Sequence, residues 1–242
     1  MADRATSGHR PYLPHDPARQ PPPLTPAYKT TVSRAPILPP VALEASLTEL
    51  TGPRFGPSDL GPLDHDLLRN FGTGAEPIGE RIVLHGRVID DRGRGLPGAL
   101  VEIWQANAGG RYRHPKDGYR APLDPNFGGA GRCLTDETGT YAFRTVKPGA
   151  YPWPNGLNSW RPAHIHVSVF GVGLGERLIT QMYFEGDPLI PLCPILGTIP
   201  DQAARESLVA PLDMAAAAPF DALAYRFDIV LRGRRMTWFE DV

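Results

Sequence analysis

The chain has 242 residues, of which 41% are hydrophobic and 21% charged, the composition of ordinary globular material. Twenty-five basic side chains against twenty-six acidic ones leave a net charge of -1, which speaks against a nucleic-acid or anionic-membrane surface as partner. No apolar run reaches the roughly 18 residues needed to cross a bilayer. The start, MADRATSGHRPYLP, lacks the apolar stretch of a secretory signal, and the two cysteines, Cys133 and Cys193, form no CxxC pair. Reduced thiols and cytoplasmic residence are expected.

Half of the 28 prolines precede residue 80. Runs such as Pro21-Pro22-Pro23 and Pro39-Pro40 can neither continue a helix nor pair as central strands. Residues 1–78 are therefore expected to form an extended arm. Its recurring apolar residues (Tyr28, Ile37, Leu38, Phe55, Leu60, Phe71) suit wrapping a partner or its own core better than disorder. Short helical turns are expected at 46–50, where Ser46 and Glu49 fit a capping box, and at 64–70.

From residue 79 to 242 the texture is that of a β domain. Residues 81–89, 99–105, 141–146, 164–170, 178–184 and 225–231 are short, β-branched and aromatic-rich, and several alternate in polarity. Turn signals separate them: Asp91-Arg92-Gly93, Leu96-Pro97-Gly98, Glu137-Thr138-Gly139 and Lys147-Pro148-Gly149. The pattern predicts an all-β fold, an antiparallel β-sandwich with few short helices. One helix is predicted over 201–209, where Asp201 can cap.

The sharpest local motif is Arg161-Pro162-Ala163-His164-Ile165-His166. In a strand, residues two apart share a face, so both imidazoles project together and can take adjacent positions on one metal. Two buried, hydrogen-bonded histidines would read the same way. The other histidines form no second cluster and neither cysteine has zinc-like spacing. A ferrous site would recruit a carboxylate, for which Asp136 and Asp187 are available. Tyr112 and Tyr151 are the other donors, both at strand-end turns where a sandwich usually builds its sites. A highly charged cation can strip the phenol proton despite its usual pKa of about 10.

Long stretches resemble the intradiol ring-cleaving dioxygenases, and among them the β-chains of those that cleave protocatechuate. The segments are GRVIDDRGRGLPGALVEIWQANAGGRYRH, APLDPNFGGAGRCLTDETGTYAFRTVKPGAYPWPNG, WRPAHIHVSVFG, LITQMYFEGDPLIPLCPI and LAYRFDIVLRG, with TPAYKTT in the arm. The resemblance implies a prealbumin-like sandwich and a non-haem Fe(III) held by Tyr112, Tyr151, His164 and His166. It also implies a homologous α-chain partner, and 3,4-dihydroxybenzoate and O₂ as substrates of a ring opening between the two hydroxylated carbons. In the family pattern Tyr151 falls on the tyrosine that leaves the metal when substrate binds, and Tyr112 on the one that stays. Arg161 matches a charge-stabilising arginine and Gln181 its neighbour. Trp153 and Ile195 match pocket walls, and Tyr28 a substrate-contacting residue carried by the arm. Val167 and the basic pair Arg234-Arg235 depart from the pattern without touching a motif position.

Two other readings compete. A catechol or hydroxyquinol enzyme of the same family would carry a helical dimerisation segment at its N-terminus, which the proline-rich first third does not suggest. A non-catalytic prealbumin-like module would account for LPGALVEI and TDETGTYAF, but not for the two tyrosines and two histidines.

Overall fold

Strand β1, Arg81–Ile89, alternates part-buried and buried residues without interruption, which sends Ile82, Leu84 and Val88 inward. This computed structural model describes residues 22–36, 60–72, 74–170, 177–231 and 237. β1 is the axis of one sheet. It pairs antiparallel with β4, Thr140–Val146, on one edge. On the other edge it pairs parallel with β10, Leu223–Arg226, and then with β11, Ile229–Val230.

The second sheet has the order β3-β2-β7-β8-β9. Its members are β2, Leu100–Trp104; β3, Ala130–Leu134; β7, His164–Phe170; β8, Arg177–Phe184; and β9, Val209–Ala210. A two-stranded ribbon of β5, Tyr151–Pro152, and β6, Trp160–Arg161, stands apart from both sheets. Both sheets feed one core, with Ile82, Leu84 and Phe143 from the first and Ile103, Ile165, Val167 and Met182 from the second.

The mostly-β expectation holds, but the antiparallel one needs correcting. β10 and β11 run parallel to β1, and β9 runs parallel to β8. Parallel pairing needs a long return connection, and the chain between β8 and β9 supplies one through two 3-10 turns, Ile190–Leu192 and Leu196–Thr198, and a short helix. That helix is α2, Gln202–Glu206, capped by Asp201 as expected, with the Asp201 carboxylate accepting from the Ala203 N–H at 2.9 Å.

Of the arm, α1, Lys29–Arg34, is a helix that the proline pattern did not announce. At 64–70, where a short helical turn is expected, the chain forms a run of turns. There Asp66 bridges to Arg144 of β4, its carboxylate accepts from the Leu68 N–H at 3.1 Å, and Leu67 and Leu68 are buried in the core. The backbone at this point is tied both to a strand, through the Leu67 N–H on the Arg144 carbonyl, and to its own next turn, through the Arg69 and Asn70 N–H groups on the Asp66 carbonyl. The capping box at 46–50, Ile37, Leu38, Phe55 and Arg234-Arg235 lie outside the described residues. No helix among the described residues is long and apolar enough to cross a membrane.

Candidate metal centre

The centre is assembled where four segments meet: the loop after β2, the β5–β6 ribbon, β7 and β8. After β2, the Asn107 carboxamide turns the chain. Its oxygen accepts from the N–H groups of Gly109 (3.0 Å) and Arg111 (2.9 Å), while its nitrogen donates to the Pro122 carbonyl (2.9 Å). Gly110 completes the turn at φ 82°, and a Cβ there would lie 2.3 Å from the Ala150 carbonyl oxygen. Facing it, Gly149 donates its N–H to the Asn107 carbonyl at 3.0 Å, and a Cβ on it would lie 2.4 Å from the Ala108 carbonyl. Two backbones touch here because neither carries a side chain.

That contact brings two tyrosines together from positions 39 residues apart in sequence. The Tyr112 and Tyr151 rings meet edge to face, 5.5 Å between centroids at 85°. The Tyr112 N–H donates to the Asp117 carboxylate at 2.7 Å, and Arg111 braces the same loop through the carbonyls of Asp117, Tyr119 and Ala121.

β7 contributes both histidines on one face, as the alternation required. Their rings are 5.1 Å apart. His164 Nδ1 lies 2.7 Å from the Pro162 carbonyl and donates to it, so Nε2 offers its lone pair to the centre. Tyr112 Oη and Tyr151 Oη each lie 3.4 Å from that Nε2. This is long for an O–H···N hydrogen bond. By contrast, two donors each about 2.1 Å from one cation stand roughly 3.0–3.4 Å apart. The spacing suits ligands of a shared ion.

The strand register supplies the surroundings. His166 faces Trp104 of β2 on one side and Gln181 of β8 on the other, and His164 faces Tyr183. Trp104 stacks flat on His166, 5.0 Å between centroids at 5°. Arg161 is paired directly with Tyr151 across the ribbon and is buried. Its Nη2 donates to Gln181 Oε1 and, at 3.3 Å, to Tyr183 Oη. Its ε N–H is buried without a partner among the described residues. Trp153 sits 5.9 Å from the Arg161 guanidinium carbon and packs edge-on against Tyr28 at 5.1 Å. The arm is pinned there by Asn155, which donates to the Ala27 carbonyl and accepts from the Lys29 N–H, both at 2.9 Å. Ile195 is buried in the core between the two 3-10 turns, two residues beyond Cys193, whose sulfur is 3.8 Å from Tyr183 Oη.

Neither carboxylate considered from the sequence joins the centre. The Asp136 oxygen Oδ1 accepts from Thr138 and Thr140 in the turn before β4. Asp187 accepts the backbone N–H groups of Ala163 and Leu189 at 2.9 Å each. No group of three or more His, Cys, Asp or Glu side chains among the described residues could hold a metal, so a metal here would need the tyrosines. Three neighbours escaped the sequence reading: Trp104, Asp117 and Tyr183. Tyr183 was findable, because it stands two residues from Gln181 in the same alternation that revealed His164 and His166.

With this arrangement in view, similarity decides the family. The model described as dioxygenase matches residues 50–233, and the one described as protocatechuate 3,4-dioxygenase beta subunit N terminal matches residues 13–46. The chain is 53% identical over 215 residues to the protocatechuate 3,4-dioxygenase beta chain of Burkholderia cepacia, spanning 89% of this chain and 91% of the relative. The chain belongs to the protocatechuate 3,4-dioxygenase beta-chain family.

It is thus an intradiol dioxygenase, which sets aside the non-catalytic module. A more distant relative is the protocatechuate 3,4-dioxygenase alpha chain of Pseudomonas putida, 34% identical over 67% of this chain and 77% of its own length. Among solved structures, 3-chlorocatechol 1,2-dioxygenase from Rhodococcus opacus 1CP superposes with a TM-score of 0.53 at 26% identity, over 74% of this chain and 70% of that one. Intradiol dioxygenases use non-haem iron, and the donors here fit it.

The electrostatics of this intradiol centre favour neutral donors until a cation arrives. Burial, then the charges of Arg161 and His166, hold His164 well below the usual histidine range. Burial and Arg161 push His166 down to about 3. Both imidazoles keep their lone pairs at neutral pH. Burial and the neighbouring Tyr151 raise Tyr112 well above the ordinary phenol range, and burial raises Tyr151 against the opposing pull of Arg161. Only a strongly charged cation would ionise such phenols, and phenolate is a hard donor suited to Fe(III). Arg161 keeps its charge: burial opposes it, but Tyr183, Cys193 and Tyr151 together outweigh burial.

Proposed function

We propose that the chain is the iron-carrying subunit of an enzyme that cleaves protocatechuate (3,4-dihydroxybenzoate) with O₂ to 3-carboxy-cis,cis-muconate. Both oxygen atoms enter the product, one at each carbon of the broken bond. Tyr112, Tyr151, His164 and His166 would hold a non-haem Fe(III). The observation that carries this reading is the meeting of Tyr112 Oη and Tyr151 Oη at 3.4 Å from His164 Nε2, with the Nδ1 of that histidine turned away to a carbonyl.

The ferric ion, when bound, supplies Lewis acidity that favours ionised catechol oxygens. The chain's own groups do the rest. Tyr151 Oη takes one of the two hydroxyl protons of the substrate as its phenol re-forms, so this proton needs no carboxylate. Tyr112, fixed through its backbone by Asp117, stays in place. The ε N–H of Arg161, which has no partner among the described residues, offers a preorganised donor to negative charge building on the ring, and Gln181 orients the guanidinium. Trp153 and Tyr28, packed edge-on, would offer aromatic walls to the substrate, Tyr28 being delivered by the arm, and Ile195 would offer an aliphatic one.

This reading takes the chain as a prealbumin-like sandwich (79–242) with its arm (1–78), working in the cytoplasm beside a homologous α-chain. Co-expression with such an α-chain, followed by oxygen uptake on protocatechuate and on catechol, tests it. Stoichiometric carboxymuconate from protocatechuate supports the proposal. Turnover of catechol alone, or by the chain without a partner at full rate, contradicts it.

A further inference from the structure

Arg161 and Gln181 are each buried, yet a glutamine amide has two ends of opposite hydrogen-bonding sense, and only its oxygen can receive a guanidinium. The guanidinium itself selects the oxygen end, and a second donor on that oxygen can hold the amide in place. On β8, residues two apart share a face, so Tyr183 stands beside Gln181, fully buried. Its hydroxyl has one proton and gives it to Gln181 Oε1 at 3.1 Å. The same oxygen accepts from Arg161 Nη2, and Tyr183 Oη accepts from that nitrogen at 3.3 Å. The three groups close a triangle in which the Arg161 Nη2 and the Tyr183 hydroxyl each find an acceptor. A flipped amide would set N–H groups against the guanidinium and leave the Tyr183 proton only the Cys193 sulfur, 3.8 Å away, as acceptor.

We propose that Tyr183 is a positioning residue: its hydroxyl locks the Gln181 amide oxygen in place and thereby holds the Arg161 guanidinium toward the metal centre. The inference rests on the proposed dioxygenase reading. The hydroxyl makes no contribution to metal binding; the Tyr183 ring does pack against His164, 6.0 Å between centroids, and a phenylalanine keeps that contact.

The test is a kinetic cycle on the co-expressed complex, with iron content, visible spectrum and thermal unfolding recorded for every variant. Tyr183→Phe should lower kcat about tenfold with KM, iron content and spectrum close to the parent, the scale of a lost hydrogen bond to a charged group. A carboxylate has two equivalent oxygens and needs no orienting. In the Gln181→Glu background, Tyr183→Phe should therefore cost less than twofold. Equal losses in both backgrounds would overturn the proposal, as would a Tyr183→Phe variant with the parent's kcat. A Tyr183→Phe protein that unfolds or loses iron would also contradict it, since the hydroxyl is assigned neither task. If the parent complex itself fails to cleave protocatechuate, the functional reading falls and takes this inference with it.

Discussion

Gly110→Ala should damage the metal centre although residue 110 bears no ligand. Two costs combine. The first is backbone conformation: at φ 82° an L side chain costs roughly 1–2 kcal/mol. The second is space, because the new Cβ would sit 2.3 Å from the Ala150 carbonyl oxygen, and ordinary contact begins near 3.4 Å. The loops carrying Tyr112 and Tyr151 must therefore part by about 1 Å, and a displacement of about 1 Å in positioned groups costs on the order of 100-fold in rate. Gly93→Ala is the matched control. Its φ is 77° and nothing lies within 4 Å of its added Cβ, so it carries the conformational cost alone. At about 2–4 °C per kcal/mol, Gly93→Ala should lower Tm by about 2–8 °C with iron and turnover intact. Gly110→Ala should lose iron per chain and visible absorbance as well. Equal iron content and equal turnover in the two variants would refute the claim that backbone contact sets the distance between the tyrosines.

Two further predictions concern the histidines and Tyr151. In metal-free protein, His166 titrates near 3 and His164 well below the usual range, against about 6.5 in the unfolded chain. Above pH 6.5 both states are neutral and the linkage contributes nothing. Below it the unfolded chain binds protons that the fold refuses, so stability falls by up to about 1.4 kcal/mol per histidine per pH unit. Urea midpoints of apo protein should therefore drop between pH 7 and 5, and a His164→Gln/His166→Gln double variant should flatten that slope; an unchanged slope would contradict the burial argument. His164→Ala should lose iron and activity together, because both tyrosine oxygens meet at its Nε2, whereas Tyr151→Phe should retain iron through three remaining donors and turn over slowly. Metal analysis and stopped-flow traces separate the two, and complete iron loss in both variants would remove the proton-accepting role given to Tyr151.

Period-two alternation made much of this fold legible. It placed β1 and β7 at 81–89 and 164–170 and put His164 and His166 on one face. It failed at β3, Ala130–Leu134, whose AGRCL sequence has no β-branched residue and buries none of its positions fully at a sheet edge. It also could not show that β10 and β11 share one edge of β1 in parallel, since pairing partners are a tertiary matter. For the centre, the histidines declared themselves locally. Tyr112 and Tyr151 did not, because what joins them is a backbone contact between Gly110 and Gly149, whose sequences read only as turns. Resemblance to a known family supplied what spacing could not. Trp104 shows the remaining gap: nothing in LVEIW marks it as the stacking partner of His166 until the β2–β7 register is known.

The central claim is that two phenolates and two imidazoles of this chain hold one ferric ion. Visible absorbance of the as-isolated complex, before and after anaerobic protocatechuate, tests it most directly. The account predicts a tyrosinate-to-iron charge-transfer band that shifts when substrate binds and weakens in both Tyr112→Phe and Tyr151→Phe. A colourless protein after iron loading, or a band indifferent to both tyrosine substitutions, would contradict it.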